Sequence, residues 1–169
     1  MELVLFVIFG AVAVASAIMV IVSRNAVVSA LFLILTFFCL AGLYVLLNAQ
    51  FIAALQIIVY AGAIMVLFVF VVMLLRTGKE ARRGYRLIFQ KSIGMIFVVL
   101  FLLLLGSITL MVAVTGMRGP YTAEAVRNIG NTQAFASVLF TDYLYPFEII
   151  SVLLLAGIIG AVVLAKKKR

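Results

Sequence analysis

The chain has 169 residues, of which 68% are hydrophobic and 11% charged, a balance far outside that of water-soluble domains. A soluble domain this short could not bury so much apolar side chain, so lipid must be its main solvent and no soluble catalytic domain is left over. One cysteine and no histidine exclude disulfide frameworks, zinc sites, a haem-axial histidine and the usual imidazole proton relay. The net charge of +8 sits in short segments between apolar runs, not in the aromatic-interleaved stripe of a nucleic-acid binder.

A span of roughly 20 apolar residues predicts five membrane helices, at about 2–22, 27–47, 51–75, 92–115 and 146–165, and hence an all-α membrane protein in one domain. The first opens on Met1 and Glu2 without a basic leader. Although "AVASA" looks like a cleavage site, the segment is expected to remain as a helix. Arg24 marks the turn into the second span, where Cys39, a small hydrophobe among apolar neighbours, reads as packing.

The third span holds "LQIIVYAGAIMVLFVF", Leu55 to Phe70. Gln56 and Tyr60, four apart, stack on one face of an α-helix. Tyr60 falls about 4.5 Å from the middle of the span at 1.5 Å per residue, below any interfacial aromatic belt. A phenol left unpaired there costs on the order of 2 kcal/mol, so its hydroxyl requires a partner. Gly62, between Ala61 and Ala63, makes a narrow waist. Close helix packing explains such a waist simply; a π-bulge, an i to i+5 turn that inserts one residue and often marks a functional site, explains it more sharply.

The connection that follows, "RTGKEARRGYR", reads as an orientation signal and a contact for lipid headgroups. In the fourth span Ser107 can satisfy itself on the preceding turn. The one long polar connection ends in Tyr143 and Tyr145, at the level of an aromatic belt, and Pro146 suits the first turn of the last helix. Glu148 alone among the ionisable residues enters a span. In a first turn the unpaired N–H groups and the helix dipole would suffice to hold it, and the other reading is a polar path. Further along, Ala156 with Gly160 and Gly157 with Ala161 form two small-xxx-small pairs suited to helix packing.

Arg24, the six basic residues from Arg76 to Lys91, and the terminal Lys166, Lys167, Lys168 and Arg169 all fall on one side if the spans alternate. Eleven of the thirteen basic residues then place the N-terminus outside and the C-terminus in the cytoplasm. An autonomous carrier keeps ionisable groups deep in its helices, and these helices have almost none.

Two stretches, "LAGLYVLLNAQFIAALQIIVYAGAIMVLFVFVVMLL" (Leu40 to Leu75) and "GNTQAFASVLFTDYLYPFEIISVLLLAGIIGAVVLAKK" (Gly130 to Lys167), closely resemble the chain J membrane subunits, chain 6 in mitochondria, of proton-pumping NADH:quinone oxidoreductase, respiratory complex I. The resemblance implies a non-catalytic subunit whose third helix carries a π-bulge around Tyr60 and Gly62. Converting that bulge to plain α-helix would open and close a polar path between the quinone site and the pumping subunits. Gln56 stands where some members hold a glutamate, so no charge-transfer role carries over to it.

The resemblance further implies the bacterial cytoplasmic membrane and, as partners, membrane-arm chains A, H, K and N. FMN, iron–sulfur clusters and quinone would lie in partner subunits, one cysteine being too few for a cluster held by four thiolates. Two competing readings are a component of a multi-subunit cation/proton antiporter and a purely structural or assembly subunit.

Overall fold

The computed structural model describes residues 1–75, 87–115 and 123–166. The basic run from Arg76 to Arg86, Arg118, and Lys167 to Arg169, on which much of the orientation argument rests, lie outside these residues. The described elements are all helical: α1 (Glu2–Val22), α2 (Ala26–Leu46), α3 (Gln50–Leu55), a π-helical segment (Gln56–Ile64), α4 (Met65–Leu74), α5 (Leu87–Thr115), α6 (Ala123–Ile129), α7 (Asn131–Thr141) and α8 (Leu144–Ala165). The rod formed by α3, the π segment and α4 is continuous over 25 residues, and with it five helices are long and apolar enough to cross a membrane.

The core lies among the first three spans. Without water between them, helices in lipid associate through close packing rather than the hydrophobic effect, and small residues permit the approach. The buried positions follow this rule: Ala13 and Ser16 on α1, Ala30, Cys39 and Ala41 on α2, Ala53 and Ala61 on the third span, with Gln56 and Met65 the larger exceptions. Gly42 belongs to the same set, since the tip of the Phe9 ring lies 2.9 Å from where its Cβ would be.

The connections between these spans are short and fully bonded. Asn25 caps α2, its Oδ1 accepting from Val27 N at 2.9 Å, and the Ser29 hydroxyl reaches back across the turn to donate to the Val20 carbonyl at 2.6 Å. At the other end, Asn48 takes the left-handed conformation (φ 58°). Asn48 N then donates to Val45 O at 3.0 Å and Ala49 N to Tyr44 O at 2.9 Å. These two bonds make a Schellman motif, which satisfies the last carbonyls of α2 and turns the chain straight into α3.

Among the described residues α5 approaches no other helix, and α8 touches only α7. The membrane windows of both contain no buried residue. The reason is visible in α5, where "FVVLFLLLL" offers bulky side chains all round and no small face, so lipid serves it as well as a neighbouring helix does. In α8 a Cβ at Gly157 or Gly160 would meet nothing within 4 Å, so among the described residues nothing packs on its small-residue pairs.

Because Asn48 sits in the left-handed region, Asn48→Gly is expected to be tolerated, whereas Asn48→Val should destabilise the turn by about 1–2 kcal/mol. A thermal-stability measurement on the purified complex containing the chain checks both.

Candidate functional site

The feature that sets the third span apart is its winding. Gln56–Ile64 is wound as a π-helix, in which N–H groups bond the carbonyl five residues back, and at the exit Met65 N donates to Tyr60 O. Upstream the pattern is α-helical, with Gln56 N shared between Ile52 O and Ala53 O. The π segment therefore carries one residue more than an α-helix would, and everything downstream is turned relative to what lies above.

The buried stripe records that turn. Above the segment it runs through Ala53 and Gln56; below, it continues at Ala61 and Met65 and then the half-buried Val69 and Val72. The step from Gln56 to Ala61 is five residues, where an α-helix would step three or four. Gln56 and Tyr60, expected to share one face, are consequently separated: Gln56 is 8% exposed and Tyr60 50%. The sequence-based pairing assumed α-helical winding, and the inserted residue removes it.

Among the described residues Tyr60 makes one ring contact, edge-on to Phe37 of α2 with centroids 5.8 Å apart. Its hydroxyl has no hydrogen-bond partner among the described residues, and Tyr60 is half exposed. Gly62 sits in a close approach: a Cβ there would lie 3.2 Å from the Ile57 carbonyl oxygen, five residues back. That carbonyl is the one a π turn brings under residue 62. Ala61 is buried at 5% exposure, while Ala63 is exposed.

Glu148 needs a correction. The last helix begins at Leu144, with Tyr143 as its cap and Phe147 N donating to Tyr143 O at 3.0 Å, so Glu148 is its fifth residue and not in the first turn. Pro146 permits the earlier start because its missing N–H is one of the orphans at a helix end. The local capping explanation for Glu148 is thereby lost. Its side chain is exposed, and among the described residues nothing pairs with it.

Sequence reasoning missed α7, read as loop. Its first residue, Asn131, reaches across to the first turn of the third span: Asn131 Oδ1 accepts from Phe51 N at 3.0 Å and Asn131 Nδ2 donates to Asn48 O at 2.6 Å. Phe135 stacks on Phe51 with centroids 4.9 Å apart. Phe140 meets Phe147 of α8 edge-on at 5.1 Å. The available signal was an omission: Ala49, at the cap of α3, has no side chain able to bond an exposed N–H. Each such bond is worth about 1 kcal/mol net.

These features define a multi-pass α-helical membrane subunit built around one irregular span. A family model for NADH-ubiquinone/plastoquinone oxidoreductase chain 6 matches residues 16–164. Over 164 residues, 97% of this chain and 81% of the relative, it is 39% identical to NADH-quinone oxidoreductase subunit J of Rhodobacter capsulatus. It is 36% identical over 165 residues to subunit J of Rickettsia typhi, covering 97% of this chain and 80% of that one. A chloroplastic NAD(P)H-quinone oxidoreductase subunit 6 from Physcomitrium patens is 36% identical over 155 residues, 88% of this chain and 76% of its own length. The chain belongs to the chain 6, or subunit J, family of NADH:quinone oxidoreductase.

Gly62→Ala adds a Cβ against the Ile57 carbonyl and raises α-helix propensity by about 1 kcal/mol. It is expected to shift the span toward α winding, moving Met65 N from Tyr60 O to Ala61 O, as read from the backbone in a structure of the intact complex.

Proposed function

We propose that this chain couples quinone reduction to proton translocation through a π-to-α transition of its third span, and that it carries no active site of its own. The carrying observation is the π segment with Gly62 set against the Ile57 carbonyl. Removing the extra residue from the turn moves the bond register by one, which rotates the lower half of the rod by about 100° and shifts it by about 1.5 Å.

The consequence for side chains follows from the stripe. In α winding, Tyr60, Ile64 and Val71 come round to the face that Ala61, Met65 and Val72 now hold. Tyr60 then lies four residues below Gln56 on the same face, so two polar groups share it. In π winding they are split: Gln56 is buried and Tyr60 is half exposed beside Phe37. A switch between the two arrangements makes or breaks a polar continuity at mid-membrane without moving either end of the span far.

The remaining parts of the reading follow from the family. The N-terminus lies outside and the C-terminus in the cytoplasm of the bacterial inner membrane, as the basic residues suggest. The neighbours are membrane-arm chains A, H, K and N, with FMN, iron–sulfur clusters and quinone held elsewhere in the assembly. Quinone chemistry in those chains biases the two windings by contacting one better than the other, as any two-state element requires.

Gly62→Leu is expected to leave the complex assembled, with NADH oxidation by an artificial acceptor intact and coupled turnover lost. Normal pumping in that variant would reduce the chain to a scaffold. Tyr60→Phe keeps the Phe37 contact and removes only the hydroxyl, so proton translocation per electron, measured in inverted vesicles, should fall without loss of assembly.

A further inference from the structure

We infer that Asn131 is a positioning residue: a torsional anchor, assisted by Phe135, that holds the outer end of the third span so that rewinding turns only the half below the π segment. The inference rests on the two-state reading above.

A rod that gains or loses one residue per turn in its middle must rotate one half against the other, but nothing in that change says which half moves. The contacts at the two ends decide it. At the outer end, one planar amide bonds both sides of the turn, accepting from Phe51 N at 3.0 Å and donating to Asn48 O at 2.6 Å. Two bonds from a rigid group fix rotation about the helix axis, which a single bond would leave free.

Phe135 lies one helical turn from Asn131 on the same face of α7 and stacks on Phe51, at 4.9 Å between centroids. The Schellman turn at Asn48 holds the preceding residues to α2, and Ala53 is buried against its neighbours. Beyond the segment, α4 meets only α2 and the π segment among the described residues. Among the described residues its end at Leu75 shows no side-chain bond comparable to that of Asn131. The geometry therefore makes Gln50–Leu55 the stator and Met65–Leu74 the rotor.

The test uses the intact complex in native membranes, with the photo-crosslinking residue p-benzoylphenylalanine replacing either Leu55, above the segment, or Leu67, below it. Cross-linked partners are mapped by mass spectrometry at rest and during turnover, alongside protons translocated per electron. In the otherwise unaltered complex, the Leu67 site should exchange partners on turnover and the Leu55 site should keep them.

Asn131→Ala should make the Leu55 site exchange partners as well and lower the proton-to-electron ratio, with artificial-acceptor activity unchanged. Asn131→Asp, which retains the acceptor for Phe51 N but loses the donor to Asn48 O, should free the Leu55 site as the Ala variant does. Partner exchange at Leu55 in the unaltered complex overturns the anchor, as does an Ala or Asp variant that assembles with Leu55 fixed and full coupling. If neither site exchanges partners in the unaltered complex, rewinding itself does not occur and the anchor falls with it.

Discussion

Within the hydrocarbon there is no water to take up a freed backbone group, so every N–H and C=O of a spanning helix must find its partner inside the segment. This constraint governs what kind of irregularity the third span can contain. A kink or an unwound stretch would leave groups unpaired at several kcal/mol each. A π turn does not: it re-pairs each N–H one carbonyl further back, so the defect costs geometry rather than hydrogen bonds. Met65 N bonded to Tyr60 O is the last of these re-paired bonds before the helix resumes.

The proposed switch requires the two windings to be close in free energy, and the same economy favours this. Glycine at position 62 removes the Cβ that would press on the Ile57 carbonyl in the π form, and it forgoes the α-helix preference of about 1 kcal/mol that alanine would supply. Small residues on either side keep the waist narrow enough to turn against α2. One or two kcal/mol changes such an equilibrium by a factor of about 5–30, a size that contacts from neighbouring chains can readily supply.

How much of this could be read in the residues depends on how local each cause is. Five spans follow from run length alone. The identity of Tyr60 and Gly62 as misfits in an apolar helix follows from chemistry at single positions. The partnership of Gln56 with Tyr60 did not survive, because it presumed 3.6 residues per turn at the one place where the winding differs. The start of α8 was misplaced by Pro146, which suits the first turn at any of its positions. The Asn131 clamp joins residues 80 and 83 apart in sequence, and no periodicity carries such a contact. The separation of α5 and α8 from the first three spans was likewise hidden, since lipid and protein are equivalent solvents for an apolar side chain.

The central claim is that the mid-membrane turn changes its winding as the complex works. Cryo-electron microscopy of the intact complex, trapped at rest and during steady turnover, measures this directly as the rotation of Met65–Leu74 relative to Gln50–Leu55. Two populations differing by about 100°, with their proportions changing between conditions, are the expected result. One and the same winding in every trapped state, whether π or α, would contradict it.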